Sequence, residues 1–153
     1  MRLQNFEISS SIELQSADLS WDLHNFGHFH GLELIAAENA AVMRWTTGKG
    51  PNPWGGPDNK FVGMALHFTG LHSLRVTPRD PDLPLSEDAC VSDILKVDPR
   101  IEHTDLYMRA VYEITARFRL AIRFQSRRLI EIDSDNVQLI PICADAVPEQ
   151  GVS

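Results

Sequence analysis

Apolar and polar side chains alternate over residues 110–124, and this alternation is the clearest pattern in the chain. The sequence AVYEITARFRLAIRF has an apolar side chain at every second position from Tyr112 to Phe124. A strand directs successive side chains to opposite faces, whereas a helix would spread these groups around its circumference. The pattern therefore predicts a half-buried strand over 110–124, with one dry face and one polar face.

Residues 31–47 contain two further apolar stretches. They flank Glu38 and Asn39, two residues that suit a tight turn, so the segment predicts a hairpin. Alanine, leucine and glutamate also favour helices, and a helix through residues 33–43 is therefore the alternative.

The later apolar stretches predict more strands. Residues 60–69 and 71–77 form either two strands that pair at Gly70 or one long strand with a bulge there. Residues 128–142 are expected to form another hairpin, with its turn at 133–136.

A short helix is predicted near 87–97. Ser86 would cap it, early acidic residues would favour its first turn, and Pro99 would end it. About seven strands with one short helix predict a mainly β fold with a minor helical part, either an antiparallel β-sandwich or a partly closed β-barrel. We expect one β-rich domain over residues 1–143 and a frayed tail over 144–153.

Two segments interrupt the strand-like sequence. Residues 48–59 are rich in glycine and proline, which predicts a flexible loop. Residues 78–105 form an acidic segment with eight acidic and three basic residues, so most of the chain's net charge of -7 lies there.

Composition narrows the classes of function. With 43% hydrophobic residues, a chain of 153 residues can bury a core without disulfides or metals. The net charge of -7 argues against a nucleic-acid partner, since such affinity comes largely from basic residues at phosphates. No apolar run reaches the ~20 residues that cross a bilayer, so no membrane partner is expected. The first residues do not resemble a signal peptide, and we expect a cytoplasmic protein in which Cys90 and Cys143 stay reduced.

Three histidines, His24, His28 and His30, lie close together in the sequence. On a strand, His28 and His30 would point to the same side, which is a starting point for a metal site. This His-x-His pair resembles the first ligands of the cupin family of metal-binding β-barrels. The cupin acid lies four or five residues after the second histidine, whereas Glu33 follows His30 by three. A metal-binding or small-ligand-binding β-barrel is thus the alternative function, and no other cofactor is predicted.

Four residues are candidates for contact with a protein partner. Arg117, Arg119 and Arg123 share the polar face of the predicted strand, where their guanidinium groups could bind a carboxylate or phosphate. A solvated surface is the stronger interpretation of these arginines, and a third is that they pair with the acidic segment within one chain or across a dimer. Trp54 lies in the glycine- and proline-rich loop, where it could anchor a partner or fold back onto its own sheet.

No complete catalytic set is present. Cys90 lies among acidic residues, which raise the pKa of a thiol, and there is no G-x-S-x-G motif or Cys–His arrangement typical of a nucleophile. The sequence therefore favours a protein without catalytic activity.

Residues 21–45 and 60–76 resemble small bacterial immunity-type and uncharacterised β-rich domains. The resemblance rests on Phe29-His30-Gly31 at the entry to a strand pair and on the later phrase FTGLHSLRV. It implies a protein that binds and neutralises a toxin partner without catalysis of its own. We therefore expect a non-enzymatic protein-interaction domain, with a protein partner or a second copy of itself as its target.

Overall fold

The structure is a computed structural model. It describes residues 1–17, 19–47, 54, 60–113 and 117–143. Trp54 is therefore the only described residue of the predicted loop at 48–59, and the predicted tail at 144–153 lies outside the described residues.

Ten strands and three short 3-10 turns make up the regular structure of the described residues. The strands are β1 (Arg2–Leu3), β2 (Glu7–Ile8), β3 (Glu13–Ser16), β4 (Leu19–Asp22), β5 (Gly27–Ile35), β6 (Ala40–Thr47), β7 (Phe61–Thr77), β8 (Val91–Val97), β9 (Arg119–Phe124) and β10 (Leu129–Cys143). The 3-10 turns are Ala36–Glu38, Leu85–Ala89 and Leu106–Arg109. Among the described residues there is no helix of a length and apolar character that would cross a membrane.

The strands form two sheets. The large sheet has the order β5-β6-β7-β10-β9-β8, with antiparallel neighbours throughout, and it curls into a half-barrel. Strand β1 adds to it in parallel with β10, and β2, β3 and β4 form a small antiparallel sheet. The predicted mainly β fold, in the form of a partly closed barrel, is confirmed.

Two long strands, β7 and β10, form the centre of the large sheet. They pair along almost their whole length, with a register shift between Asp133 and Ser134. Gly70 lies in this bulged region with a φ of 65°, and a Cβ at that position would collide with Asp135. The bulged long strand, one of our two alternatives for residues 60–77, is therefore correct. The predicted hairpin turn at 133–136 is wrong, because these residues lie inside β10 and bend it.

The hairpin predicted over residues 31–47 is confirmed. Strands β5 and β6 pair antiparallel, and Asn39 closes the turn between them with a φ of 49°. Asparagine tolerates this left-handed conformation better than most residues, which favours the hairpin over the alternative helix at 33–43.

The strand predicted over 110–124 is confirmed at residues 119–124, and residues 114–116 of the prediction lie outside the described residues. Strand β9 begins at Arg119, and Leu120, Ile122 and Phe124 are buried on one face as predicted. Residues 110–113 are not in a strand, and Tyr112 is 84% exposed. Pairing explains the difference, since β10 offers β9 a straight edge only before its bulge.

The helix predicted near 87–97 is wrong. A 3-10 turn ends at Ala89, and the following residues form β8, which pairs with β9 along its length. Val91, Ile94 and Val97 are buried in the two apolar clusters of the domain. Sheet pairing and burial of these side chains outweigh the local helix-capping signal.

The main core lies between the concave face of the large sheet and the small sheet. Leu14 and Trp21 of the small sheet pack in one cluster with residues of β6, β7, β9 and β10. Burial of each such side chain contributes roughly 1.5–3 kcal/mol to folding. The convex face carries a second, smaller cluster of Val97, Leu106 and Ala121.

Candidate interaction face

A covering segment, residues 98–113, lies on the convex face of the large sheet. Near its end, Val111 N donates to Lys96 O of β8 at 2.9 Å, and within the segment Asp98 N donates to Arg109 O at 2.8 Å. In its middle, Leu106 is 2% exposed and packs in the convex cluster. The covering segment is thus attached by both its backbone and an apolar side chain.

Arg109 of the covering segment is the first of two buried polar side chains that anchor the segment to the sheet. Its Nε donates to the Ile101 carbonyl at 3.0 Å, and its Nη2 donates to Glu131 of β10. The side chains of Arg109 and Glu131 are only 8% and 2% exposed. A buried carboxylate is tolerated when it is paired and hydrogen-bonded, so this pair fixes the segment to the sheet.

Asp93 of β8 is the second anchor. It accepts hydrogen bonds from the Tyr107 hydroxyl, from Ser92 Oγ at 3.1 Å and from Arg123 Nη2 at 2.6 Å. Burial by itself raises the pKa of Asp93, but these hydrogen bonds and the charge of Arg123 outweigh it and lower the pKa overall. The hydrogen bond to Asp93 raises the pKa of Tyr107, with a further contribution from burial.

The three arginines predicted as partner contacts have different surroundings. Arg123 binds Asp93, and Arg117 Nη2 donates to Asp133 of β10 at 2.9 Å. The side chain of Arg119 makes no hydrogen bond or ion pair with another described residue, and its Nε is buried without a hydrogen-bond partner. Only Arg119 therefore keeps its guanidinium group available to a ligand.

The acidic segment pairs in part with arginines of the same chain. Asp88 accepts from Arg128 Nε at 2.9 Å, and the nearest Asp80–Arg127 nitrogen–oxygen distance is 3.5 Å. Hydrogen bonds from Arg128 lower the pKa of Asp88, against the effect of burial. Of the arginines on the predicted strand, Arg123 pairs with Asp93 of the acidic segment within the chain, whereas Asp88 and Asp80 pair with the later residues Arg128 and Arg127.

An open cleft of about 630 Å³ lies between the covering segment and the sheet. Its lining includes Arg75, Arg109 and Arg119, together with His103 and Glu102, and we call it the arginine cleft. Arg75 is exposed on β7 and makes no ion pair or side-chain hydrogen bond with another described residue. Glu102 is the one carboxylate in this lining, so the cleft carries an excess of positive charge within an acidic protein.

The covering segment that borders this cleft carries exposed apolar side chains. The structure describes nine exposed large apolar side chains, and four of them belong to the covering segment. These four are Ile101, Tyr107, Met108 and Tyr112, which are 41% to 84% exposed. Ile101 also lines the arginine cleft. The covering segment thus presents exposed tyrosine and methionine side chains and also borders the cleft that contains the arginines.

The three histidines of the metal hypothesis do not form a ligand set. His24 Nδ1 lies 2.7 Å from the Val91 carbonyl oxygen, and His30 Nε2 lies 2.7 Å from Thr46 Oγ1. The His28 and His30 rings are adjacent, with centroids 5.6 Å apart. Among the described residues, no three histidine, cysteine or acidic side chains are grouped so that they could hold a metal ion.

Cys90 is the described thiol closest to a histidine. Its Sγ lies 3.4 Å from His24 Nδ1, but that nitrogen also contacts the Val91 carbonyl oxygen and so serves as a donor there. Burial raises the pKa of Cys90, and Glu87 and Asp22 raise it further. The acidic surroundings therefore act as the sequence predicted, with burial as the larger cause, and the arrangement does not activate a nucleophile.

Trp54 is not exposed to a partner. It is 1% exposed, and its ring centroid lies 5.3 Å from that of Trp21 in the main core. Of the two alternatives for this residue, folding back onto its own domain is the one that the structure shows.

Sequence reasoning missed most of the face. Arg75 and Arg109 were not candidates, and the apolar residues Tyr107, Met108 and Tyr112 were not recognised as surface residues. No family model, curated protein or solved structure matches the chain. The comparisons therefore add no support to either resemblance.

Proposed function

We propose that this protein is a non-enzymatic protein-interaction domain, and that its contact surface is the arginine cleft with the exposed side chains of the covering segment. One observation carries the proposal: four of the nine exposed large apolar side chains that the structure describes belong to the covering segment, and that segment borders a cleft that holds two arginines without a carboxylate partner. Methionine, tyrosine and arginine are enriched in protein interfaces and supply many of their strongest contacts.

The rigidity of the face supports this proposal. Arg75 and Arg119 lie on strands of the large sheet, and the buried pair Arg109–Glu131 and the part-buried pair Tyr107–Asp93 fix the covering segment to it. A preorganised surface loses less conformational entropy when a partner binds.

The proposed partner is a protein or a second copy of this chain. The net charge of -7 disfavours nucleic acids and anionic membrane surfaces, and a cytoplasmic location fits two free thiols. In the more specific form, suggested by the immunity-type resemblance, the partner would be a toxin that the protein neutralises. The geometry favours an interaction domain over the metal-binding alternative, because His24 and His30 contact other groups and no three metal-binding side chains of the described residues are grouped.

Capture from an extract of the native cell tests the proposal. Wild-type protein is expected to retain a stoichiometric partner, or to sediment as a dimer. The double variant Met108→Asp/Tyr112→Asp is expected to lose that association, since it places two charges in the apolar part of the face.

The double variant Leu34→Asp/Leu85→Asp is the matched control. It makes the same charge change at two apolar residues that are 58% and 78% exposed elsewhere on the domain. Loss of the partner in both variants, or in neither, would contradict the proposed surface, as would a monomer that captures nothing.

A further inference from the structure

We infer that the arginine cleft binds an oxyanion, a carboxylate or phosphoryl group presented by the partner protein, with Arg75 and Arg119 as its ligands. The inference rests on the proposed function and names the chemistry of the partner at that surface.

Arg119 supplies the first argument. Its Nε–H is buried in the structure and has no acceptor among the described residues. A donor of a charged group that lacks an acceptor costs free energy, and a carboxylate or phosphoryl group in the cleft can accept from the two Nη groups of Arg119, which are not buried. The two carboxylates of β10 on this face do not do so, because Glu131 accepts from Arg109 and Asp133 accepts from Arg117.

Arg75 supplies the second argument. It lies directly opposite Glu131 in the pairing of β7 with β10, a position where a cross-strand ion pair would be expected. Glu131 instead pairs with Arg109 of the covering segment. The covering segment thus takes the natural partner of Arg75 and leaves a second guanidinium group free at the same cleft.

The chemistry of the lining identifies the ligand class. A planar guanidinium group matches the two oxygens of a carboxylate or phosphoryl group, and such charge-assisted bonds are stronger than neutral ones. The cleft has room for such a group at about 630 Å³. His103 adds a donor, because its Nδ1 accepts from Asp105 N–H at 2.9 Å and the proton of the neutral ring then lies on Nε2.

Glu102 is expected to weaken oxyanion binding, so its replacement should change the affinity in the opposite direction to replacement of an arginine. It is an exposed acid in the lining and makes no ion pair with another described residue. Its negative charge would repel an incoming oxyanion and lower the affinity for it. Removal of this charge should therefore strengthen binding, while removal of an arginine charge should weaken it.

The test is an NMR titration that follows the arginine Nε–Hε resonances. Inorganic phosphate and glutarate are added separately, with chloride at equal ionic strength as the reference. The Nε–Hε resonance of Arg119 is expected to shift and saturate with at least one of the two oxyanions. Saturation with phosphate alone identifies a phosphoryl ligand, and saturation with glutarate alone identifies a carboxylate ligand. Saturation with both identifies a site for either oxyanion.

Variants separate a built site from general charge attraction. Arg75→Gln, at an exposed position, should weaken binding about tenfold or more, and Glu102→Gln should strengthen it about threefold. Arg2→Gln, at another exposed arginine, should leave the affinity unchanged. Shifts that chloride reproduces, or equal affinities in all three variants, would overturn the inference.

The inference and the proposed function can fail separately. If Arg75→Gln captures the partner as well as wild type does, the surface stands and the oxyanion site is wrong. If saturable shifts occur and no partner or dimer is found, the oxyanion site stands and the protein-interaction function is wrong.

Discussion

Replacement of Arg109 by methionine tests how the covering segment is held. The variant would leave Glu131 as a charged side chain that is only 2% exposed and has lost its partner. Removal of one member of a buried ion pair typically costs about 3–5 kcal/mol, because the remaining charge stays desolvated. We expect a loss of that size in the free energy of unfolding, and the Ile101 carbonyl would also lose a donor.

Such a loss is a large part of the stability of a domain, which is typically about 5–15 kcal/mol. The double variant Arg109→Met/Glu131→Gln should recover much of it, because the buried charge is then absent. A substantial coupling energy between the two positions is therefore expected from the double-mutant cycle.

Urea unfolding, followed by fluorescence, measures these differences. Arg44→Met is the matched control, since Arg44 and its partner Glu33 are 47% and 56% exposed. Exposed pairs contribute about 0–1 kcal/mol, so the control should stay close to wild type. A loss below about 1 kcal/mol in Arg109→Met, or a double variant as unstable as the sum of its single variants, would refute the anchoring role.

Three further predictions follow from the buried groups. The pKa of Asp93 is lower in the folded state than its unfolded value near 3.8, so the stabilisation by its carboxylate is present above pH 3.8 and is lost as the pH falls through the folded pKa. In urea unfolding at a series of pH values, Asp93→Asn should flatten this loss of stability in acid, and an unchanged dependence on pH would contradict the prediction. The pKa of Tyr107 is raised in the folded state, so the stabilisation by its protonated hydroxyl is lost as the pH rises through the folded pKa. Ultraviolet absorbance should show one tyrosine that ionises above pH 10, and Tyr107→Phe should abolish that transition. Trp54→Ala should cost about 3–5 kcal/mol in thermal or urea unfolding, whereas a loss below about 0.5 kcal/mol would indicate a surface residue.

The alternation of apolar and polar residues predicts a strand correctly where the neighbouring strand offers a straight edge for pairing. Leu120, Ile122 and Phe124 are buried as their spacing indicates, and Arg119 and Arg123 lie on the other face. The pattern extends back to residue 110, but the bulge in β10 ends the straight edge that a longer β9 would need. The alternation of apolar and polar residues predicts which side chains would share a face of a strand. It does not predict whether a neighbouring strand is available for pairing.

The candidate site was less predictable for a related reason. Arg75 and Arg119 are far apart in the sequence and meet only because β7, β10 and β9 are neighbours in the sheet. Tyr112 was counted among core residues from its place in the alternation, and the structure leaves it 84% exposed. The cleft forms because of the order of the strands in the sheet, and local sequence does not predict that order.

Oxidative footprinting in an extract of the native cell tests the central claim most directly. Methionine and tyrosine side chains oxidise readily when exposed, and Met108 and Tyr112 are 61% and 84% exposed in the isolated chain. Relative to Phe26, which is 45% exposed outside the proposed face, their oxidation should fall in the extract compared with an inert protein solution. Unchanged relative oxidation at both residues would show that nothing covers this face, and the account would be wrong.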